Sequence, residues 1–148
     1  MNIRQAKPSD ASRIAEILVF TKRMKYRAIF HNDDYSFNEL QVVKVANEFK
    51  EPELLNKVWV YDDGIVKGMM HLEGKEISEL YVDYFFWKQG IGSQLLEFAK
   101  EKYDSRFLWT LEKNKEAIHL YKAHGFNLNG KRQLEEGTPE YIVMLERD

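Results

Sequence analysis

Two hydrophobic periods alternate along the chain, and the switches between them mark out its elements. Residues 3–6 alternate apolar and polar and predict a short opening strand, closed by Pro8. Ser9 or Asp10 is placed to cap a helix whose apolar positions, Ala11, Ile14, Ile17 and Leu18, recur at helical spacing. The stretch 25–35 is aromatic, charged and aperiodic, which predicts a loop with at most one helical turn. Ser36-Phe37-Asn38-Glu39 has the form of a capping box, with a hydroxyl for one free N–H and a carboxylate reaching back for another. A second helix is expected from there to about Phe49, burying Phe37, Leu40 and Val43, with Pro52 ending the region. The period then becomes two. Residues 58–61 predict a strand, Asp62-Asp63-Gly64 a tight turn, and 65–72 the return strand. After Gly74, residues 77–86 form the most apolar segment, expected at the centre of the sheet.

A helix is expected over 90–102, with Leu95, Leu96, Phe98 and Ala99 inward, and a strand over 107–111. Asn114 is placed to cap a helix ending near His124, and Gly125 is the glycine that commonly follows a helix end. Segments 126–134 and 141–145 read as closing strands around Glu136-Gly137-Thr138-Pro139. The strand–helix–strand run from 77 to 111 requires a parallel pair within an otherwise antiparallel sheet. The predicted fold is therefore a single-domain mixed α/β architecture spanning 1–148, its mostly antiparallel central sheet flanked by helices.

Composition narrows the chemistry. A chain of 148 residues, 44% of them hydrophobic, can bury a core without metal or disulfide staples. It has no cysteine, so disulfides, thiolate catalysis and cysteine-ligated zinc are excluded. The start Met-Asn-Ile-Arg-Gln lacks the pattern of a secretory signal, and no window approaches the roughly 18 apolar residues of a membrane span. The expectation is a soluble cytoplasmic protein without a membrane partner. Net charge is −2 with signs mixed, and the densest basic run, residues 22–27, is short. That argues against a nucleic-acid partner. His119 and His124 do not share a helix face, and His31 and His71 are isolated, so no metal site is expected.

Two stretches carry candidate chemistry. The first is Leu80-Tyr81-Val82 followed after four residues by Trp87-Lys88-Gln89-Gly90-Ile91-Gly92-Ser93. A helix N-terminus leaves backbone N–H groups unpaired and carries partial positive charge, and glycines before it let those groups close on a phosphate. Gly90 and Gly92 give that clearance and Ser93 adds a hydroxyl; equally, the glycines could only permit a tight turn. A dinucleotide fingerprint is absent because position 95 is Leu, and no Gly-Lys-Ser/Thr follows. The second stretch is Asn114, Ala117 and then Tyr121-Lys122-Ala123-His124-Gly125-Phe126.

Together these motifs resemble the acyl-CoA-binding half of the GCN5-related N-acetyltransferase (GNAT) superfamily, with specificity between about 77 and 126. The resemblance implies an acetyl-CoA-dependent N-acetyltransferase that passes an acetyl group directly to a primary amine of a small molecule, peptide or protein. It implies that backbone N–H groups from position 87 onward cradle the cofactor pyrophosphate, and that the strand at Leu80, Tyr81 and Val82 splays from its parallel neighbour to pair with the pantetheine arm. Trp87 stands where the family usually has Arg or Gln; Lys88 is a candidate substitute charge. By the same resemblance Asn114 and Ala117 lie along the pantetheine region, and Tyr121 serves as general acid, against a plain reading as a core-facing ring. Glu79 is the candidate general base, or an ordinary salt-bridged glutamate. The acceptor wall would be Met24 to Phe37, where Tyr26, Phe30, His31, Asp33, Asp34 and Tyr35 could hold a cationic amine or simply cover the core. The competing reading is a non-catalytic acyl-CoA-binding module. The strands after Gly125 are a candidate homodimer contact.

Overall fold

The computed structural model describes residues 2–30, 33, 37 and 40–148, with Phe30 described by its backbone alone. β1 (Ile3–Gln5) leads through a single 3-10 turn at Pro8–Asp10 into α1 (Ala11–Phe30). Two short helices, α2 (Val42–Glu48) and α3 (Pro52–Leu55), precede the antiparallel run β2 (Val58–Asp62), β3 (Val66–Glu73) and β4 (Glu76–Val82). Then come α4 (Ile91–Tyr103), β5 (Phe107–Leu111), α5 (Lys115–Ala123), β6 (Asn127–Leu134) and β7 (Tyr141–Glu146). The strands form one seven-stranded sheet in the order β1-β2-β3-β4-β5-β7-β6, with β4 at its centre and β4–β5 its parallel pair.

The period-two pattern decides which helix each strand face covers. Val58, Val60 and Met69 point to the face covered by α1 to α3, where Ile14, Ile17, Leu18, Val45 and Phe49 bury. Met70, Leu72, Ile77 and Leu108 point to the opposite face, against Leu95, Leu96, Ala99, Ile118 and Phe126. One glycine makes close helix packing possible. A Cβ at Gly68 in β3 would come within 3.2 Å of Ile91 and Leu95, so its absence lets α4 lie directly on the sheet. Among the described residues no helix is long and apolar enough to cross a membrane.

Several expectations between residues 8 and 52 need correction. Residues 25–30 continue α1 rather than forming a loop. Their apolar stripe is missing because Lys25 and Tyr26 line a cavity while Arg27 and Ala28 are exposed. The capping box at Ser36 and Glu39 lies outside the described residues. Helix α2 starts only at Val42, so Val45 and Ala46 turn inward while Val43 is 74% exposed and Phe37 50%. Leu40 is buried as expected. Pro52 opens a helix instead of ending one, at the first turn where its missing N–H costs nothing. Asp10 does not cap forward either: its carboxylate accepts the Lys7 N–H at 2.8 Å and pairs with Arg4, which also reaches Asp62.

Candidate active site

The central parallel pair is joined at only two positions, Glu76 with Phe107 and Ile77 with Leu108. The register explains why it stops there. On the other side of β4, Leu72 pairs with Ile77 but His71 with Glu79, leaving Ser78 as an extra residue. Such a bulge sharpens the strand's twist and turns it away from its neighbour. The splay that the family resemblance implied is thus present in the register. Where β4 and β5 part, a cavity of about 670 Å³ opens.

The candidate residues gather around this cavity. Glu79, Leu80, Tyr81 and Val82 line it from β4; Trp87, Lys88 and Gly90 from the following loop; Ile91, Gly92 and Ser93 from the start of α4. Asn114, Ala117 and Tyr121 line it from α5 and its cap. Gln89 is exposed and does not line it.

The glycine turn has the geometry of an anion cradle. Gly90 caps α4 in the left-handed region at φ 80°, and Lys88 is left-handed at φ 63°, a conformation that costs a side-chain-bearing residue roughly 1–2 kcal/mol. The first intrahelical bond runs from Gln94 N–H to the Gly90 carbonyl at 3.1 Å. Helix geometry therefore leaves the N–H groups of Ile91, Gly92 and Ser93 without an intrahelical acceptor. Gly92 has an ordinary negative φ, and a Cβ there would meet only Leu120 at 3.4 Å and Val82 at 3.9 Å. The fold does not need a glycine at 92, whereas a ligand lying against the backbone would.

Trp87, the departure from the family pattern, anchors the loop that carries it. Its indole N–H donates to the Val82 carbonyl at 2.6 Å and ties the loop back onto the end of β4. Lys25 of α1 stands 4.8 Å from the centre of the Trp87 ring and 3.4 Å from the Glu116 carboxylate of α5. A cation thus reaches the groove from the opposite helical layer.

At the other end, Asn114 caps α5 by accepting the Ala117 N–H on Oδ1 at 3.3 Å, so its amide N–H groups are what it can offer a ligand. Tyr121 is half-buried against the cavity wall. Burial, and secondarily the charge of Glu79, push its phenol up to about 12. Tyr81 is raised well above the ordinary tyrosine value, again by burial first and by Glu79 next. Glu79 is three-quarters buried and lies 3.6 Å from the Lys22 ammonium, which also sits 5.8 Å from the Tyr81 ring. Glu135, between β6 and β7, faces the same space: burial raises its carboxyl, the Lys22 charge opposes that, and the Glu79 charge adds to it.

Lys22, Lys25 and Glu135 were not singled out from the sequence as site residues. The two lysines are three apart, which places them on one helical face, but that signal is invisible when the stretch from 25 onward is read as a loop. Of the expected acceptor wall, Tyr26 lines the cavity. Asp33 is instead held by Arg27 at 3.2 Å, and Met24 and Phe37 face a separate surface groove beside Tyr84 and Phe85. The Phe30 side chain, His31, Asp34 and Tyr35 lie outside the described residues. Among the described residues no group of three or more His, Asp or Glu side chains is placed to hold a metal ion.

A mixed sheet that splays at its one parallel pair, with a glycine-capped helix at one end of the gap and a buried phenol at the other, defines an acyl-CoA N-acyltransferase fold. The chain belongs to the GNAT acetyltransferase family: the family profile described as Acetyltransferase (GNAT) domain matches residues 55–128, half of its length. It is an acetyl-CoA-dependent N-acetyltransferase. Peptidyl-lysine N-acetyltransferase YjaB of Salmonella typhimurium is 25% identical over 146 residues, covering 98% of this chain and 97% of that protein. Peptidyl-lysine N-acetyltransferase YiaC of Escherichia coli is 27% identical over 73 residues, covering 49% of this chain; the match spans about half the length of YiaC. An N-acetyltransferase from Staphylococcus aureus Mu50 has the same fold, with a TM-score of 0.75 at 15% identity, covering 97% of this chain and 98% of the other.

Proposed function

We propose that the protein acetylates lysine side chains of peptides or proteins, with Glu79 as general base and Tyr121 as general acid. The observation that carries this reading is the Lys22 ammonium 3.6 Å from Glu79, beside the Tyr81 ring. An alkylammonium lodged between a carboxylate and an aromatic ring supports a cationic acceptor at this end of the cavity. The names of the two relatives point to the same acceptor class.

In this reading the incoming lysine displaces the Lys22 ammonium from Glu79. The carboxylate takes one proton from the acceptor ammonium, directly or through a water, and frees its lone pair. Acetyl-CoA supplies a thioester carbonyl for that amine to attack. The new N–C bond forms as the C–S bond breaks, Tyr121 gives its phenolic proton to the departing thiolate, and the surplus proton on the new amide nitrogen passes back, directly or through water, to restore the phenol. The N–H groups of Ile91, Gly92 and Ser93 hold the pyrophosphate, with Trp87 holding the loop shape and Lys88 contributing charge. Leu80, Tyr81 and Val82 offer free main-chain groups to the pantetheine arm, and Asn114 its amide. With no cysteine in the chain, no acyl-cysteine can form on the way.

Thiol release from acetyl-CoA with a panel of lysine peptides, free lysine and polyamines tests the proposal. Wild-type protein should turn over lysine peptides, and Tyr121→Phe, which keeps the ring and removes one proton, should lose about 10²–10³-fold in kcat. Turnover unchanged in that variant removes Tyr121 as the acid. Acetyl-CoA binding without transfer to any amine would favour the non-catalytic module instead.

A further inference from the structure

Ser93, in the first turn of α4, is part of a chain of hydrogen bonds that leads away from the cavity. Its Oγ lies 2.9 Å from His124 Nε2, and His124 Nδ1 lies 2.7 Å from Glu97 Oε1, one helical turn further along α4. Lys100 closes the cluster, donating to Glu97 Oε1 at 3.1 Å and to the His124 carbonyl at 2.9 Å. Among the described residues these two, Glu97 and Lys100, are the charged groups in contact with His124. The His124 ring is largely buried and Ser93 lines the cofactor cavity.

The chemistry of the three side chains fixes where the protons lie. Hydrogen bonds from His124 and then Lys100 hold the Glu97 carboxyl below the usual glutamate range, so it is a carboxylate and can only accept. His124 Nδ1 must therefore carry the proton it shares with Glu97. In a neutral ring this leaves Nε2 as an acceptor, and the Ser93 O–H must donate to it. The serine then turns lone pairs toward the cavity, where a phosphate also has only acceptors to offer. Protonation at Nε2 reverses the chain: Nε2–H donates to Ser93 Oγ, and the Ser93 hydroxyl is released to donate outward.

We propose that His124, oriented by Glu97, is a positioning residue of the cofactor phosphate site, taking up a proton on Nε2 as CoA binds so that Ser93 donates to the pyrophosphate. This rests on the start of α4 being that phosphate site, and it adds a proton to the binding equilibrium. CoA affinity then falls as pH rises, because the neutral ring must first be charged.

Calorimetry of CoA binding near neutral pH, in two buffers of different ionisation enthalpy, counts the protons exchanged without any need for turnover. Wild-type protein should take up a measurable fraction of one proton more than His124→Gln or Ser93→Ala. Its dissociation constant should rise about tenfold between pH 6 and pH 8.5 while theirs stays nearly flat. S-acetylpantetheine, which has no pyrophosphate, should bind wild type and both variants alike. CoA binding with equal proton uptake in wild type and variants overturns the proposal and leaves the cofactor site standing. Absence of CoA binding to wild type would sink both. If His124→Gln fails to fold, the comparison with Ser93→Ala decides the matter alone.

Discussion

The proposed mechanism makes Tyr121 the general acid, and burial keeps its phenol protonated. A general acid must carry its proton at the working pH, and the shift from the ordinary tyrosine range to about 12 widens the range over which it does. The sign is testable. A raised value delays loss of the acid form, so kcat at saturating substrate should stay flat from pH 8 to 10.5 and show no half-loss near 10. A decline centred near 10 would mean that the phenol is not desolvated in the working enzyme, or is not the acid. With Glu79 as the proposed base, Glu79→Gln should abolish the acidic limb of the profile and lower kcat about 10²-fold. An intact limb in this variant removes Glu79 from the mechanism. The sequence singled out both residues, but not Lys22, which makes Glu79 informative. Glu79 and Tyr81 lie two apart on one strand and so share a face, whereas Lys22 reaches them from a helix about 57 residues earlier through tertiary structure alone.

Among the elements, the glycine turn and α4 were legible because local chemistry dictates them, whereas the strand expected over 77–86 ends as β4 at Val82 and gives way to a 3-10 turn at Tyr84–Phe86. A position at φ 80° favours glycine, a helix start needs its cap, and four apolar residues at helical spacing need a core. The second half of α1 was not legible because its lysines pair across the cavity instead of an apolar face packing on the core. Lys22 and Lys25 serve Glu79, Trp87 and Glu116 across the cavity, so this stretch keeps its helical backbone without an apolar stripe. The two readings of the glycines also separate at this scale. Gly92→Ala places a methyl at ordinary contact distance from Leu120 and Val82, in a helix where alanine is worth up to about 1 kcal/mol over glycine. The melting temperature should hold or rise while the KM for acetyl-CoA increases about tenfold, equivalent to about 1.4 kcal/mol. A lower melting temperature with unchanged KM would make Gly92 a packing residue and weaken the cradle.

The whole molecule is a sheet with a seam. Strands β1 to β4 form one antiparallel block and β5, β7 and β6 another, and between them the ladder holds only two residue pairs. Helices α4 and α5 bind the blocks from one side, through Leu95, Leu96 and Ile118 over Ile77 and Leu108. Beyond Ile77 the edge of β4 that faces β5 has no strand partner in the register, and unpaired edge groups exchange with solvent readily. A pantetheine arm lying in the gap would supply those partners and complete the sheet across the seam. Cofactor binding should then act as a local staple more than a global one. With CoA at about 100 times its dissociation constant, linkage gives about 2.7 kcal/mol, a rise of about 5–10 °C in melting temperature for a chain of this size. Hydrogen exchange locates the effect: protection should grow at Leu80, Tyr81 and Val82 and at the first turn of α4, with little local change in β1 or in the edge strand β6. Uniform slowing across all strands would mean that the ligand only raises global stability, and that the seam is not where it binds. Protection confined to the start of α4 would place the phosphates there and leave β4 without its partner.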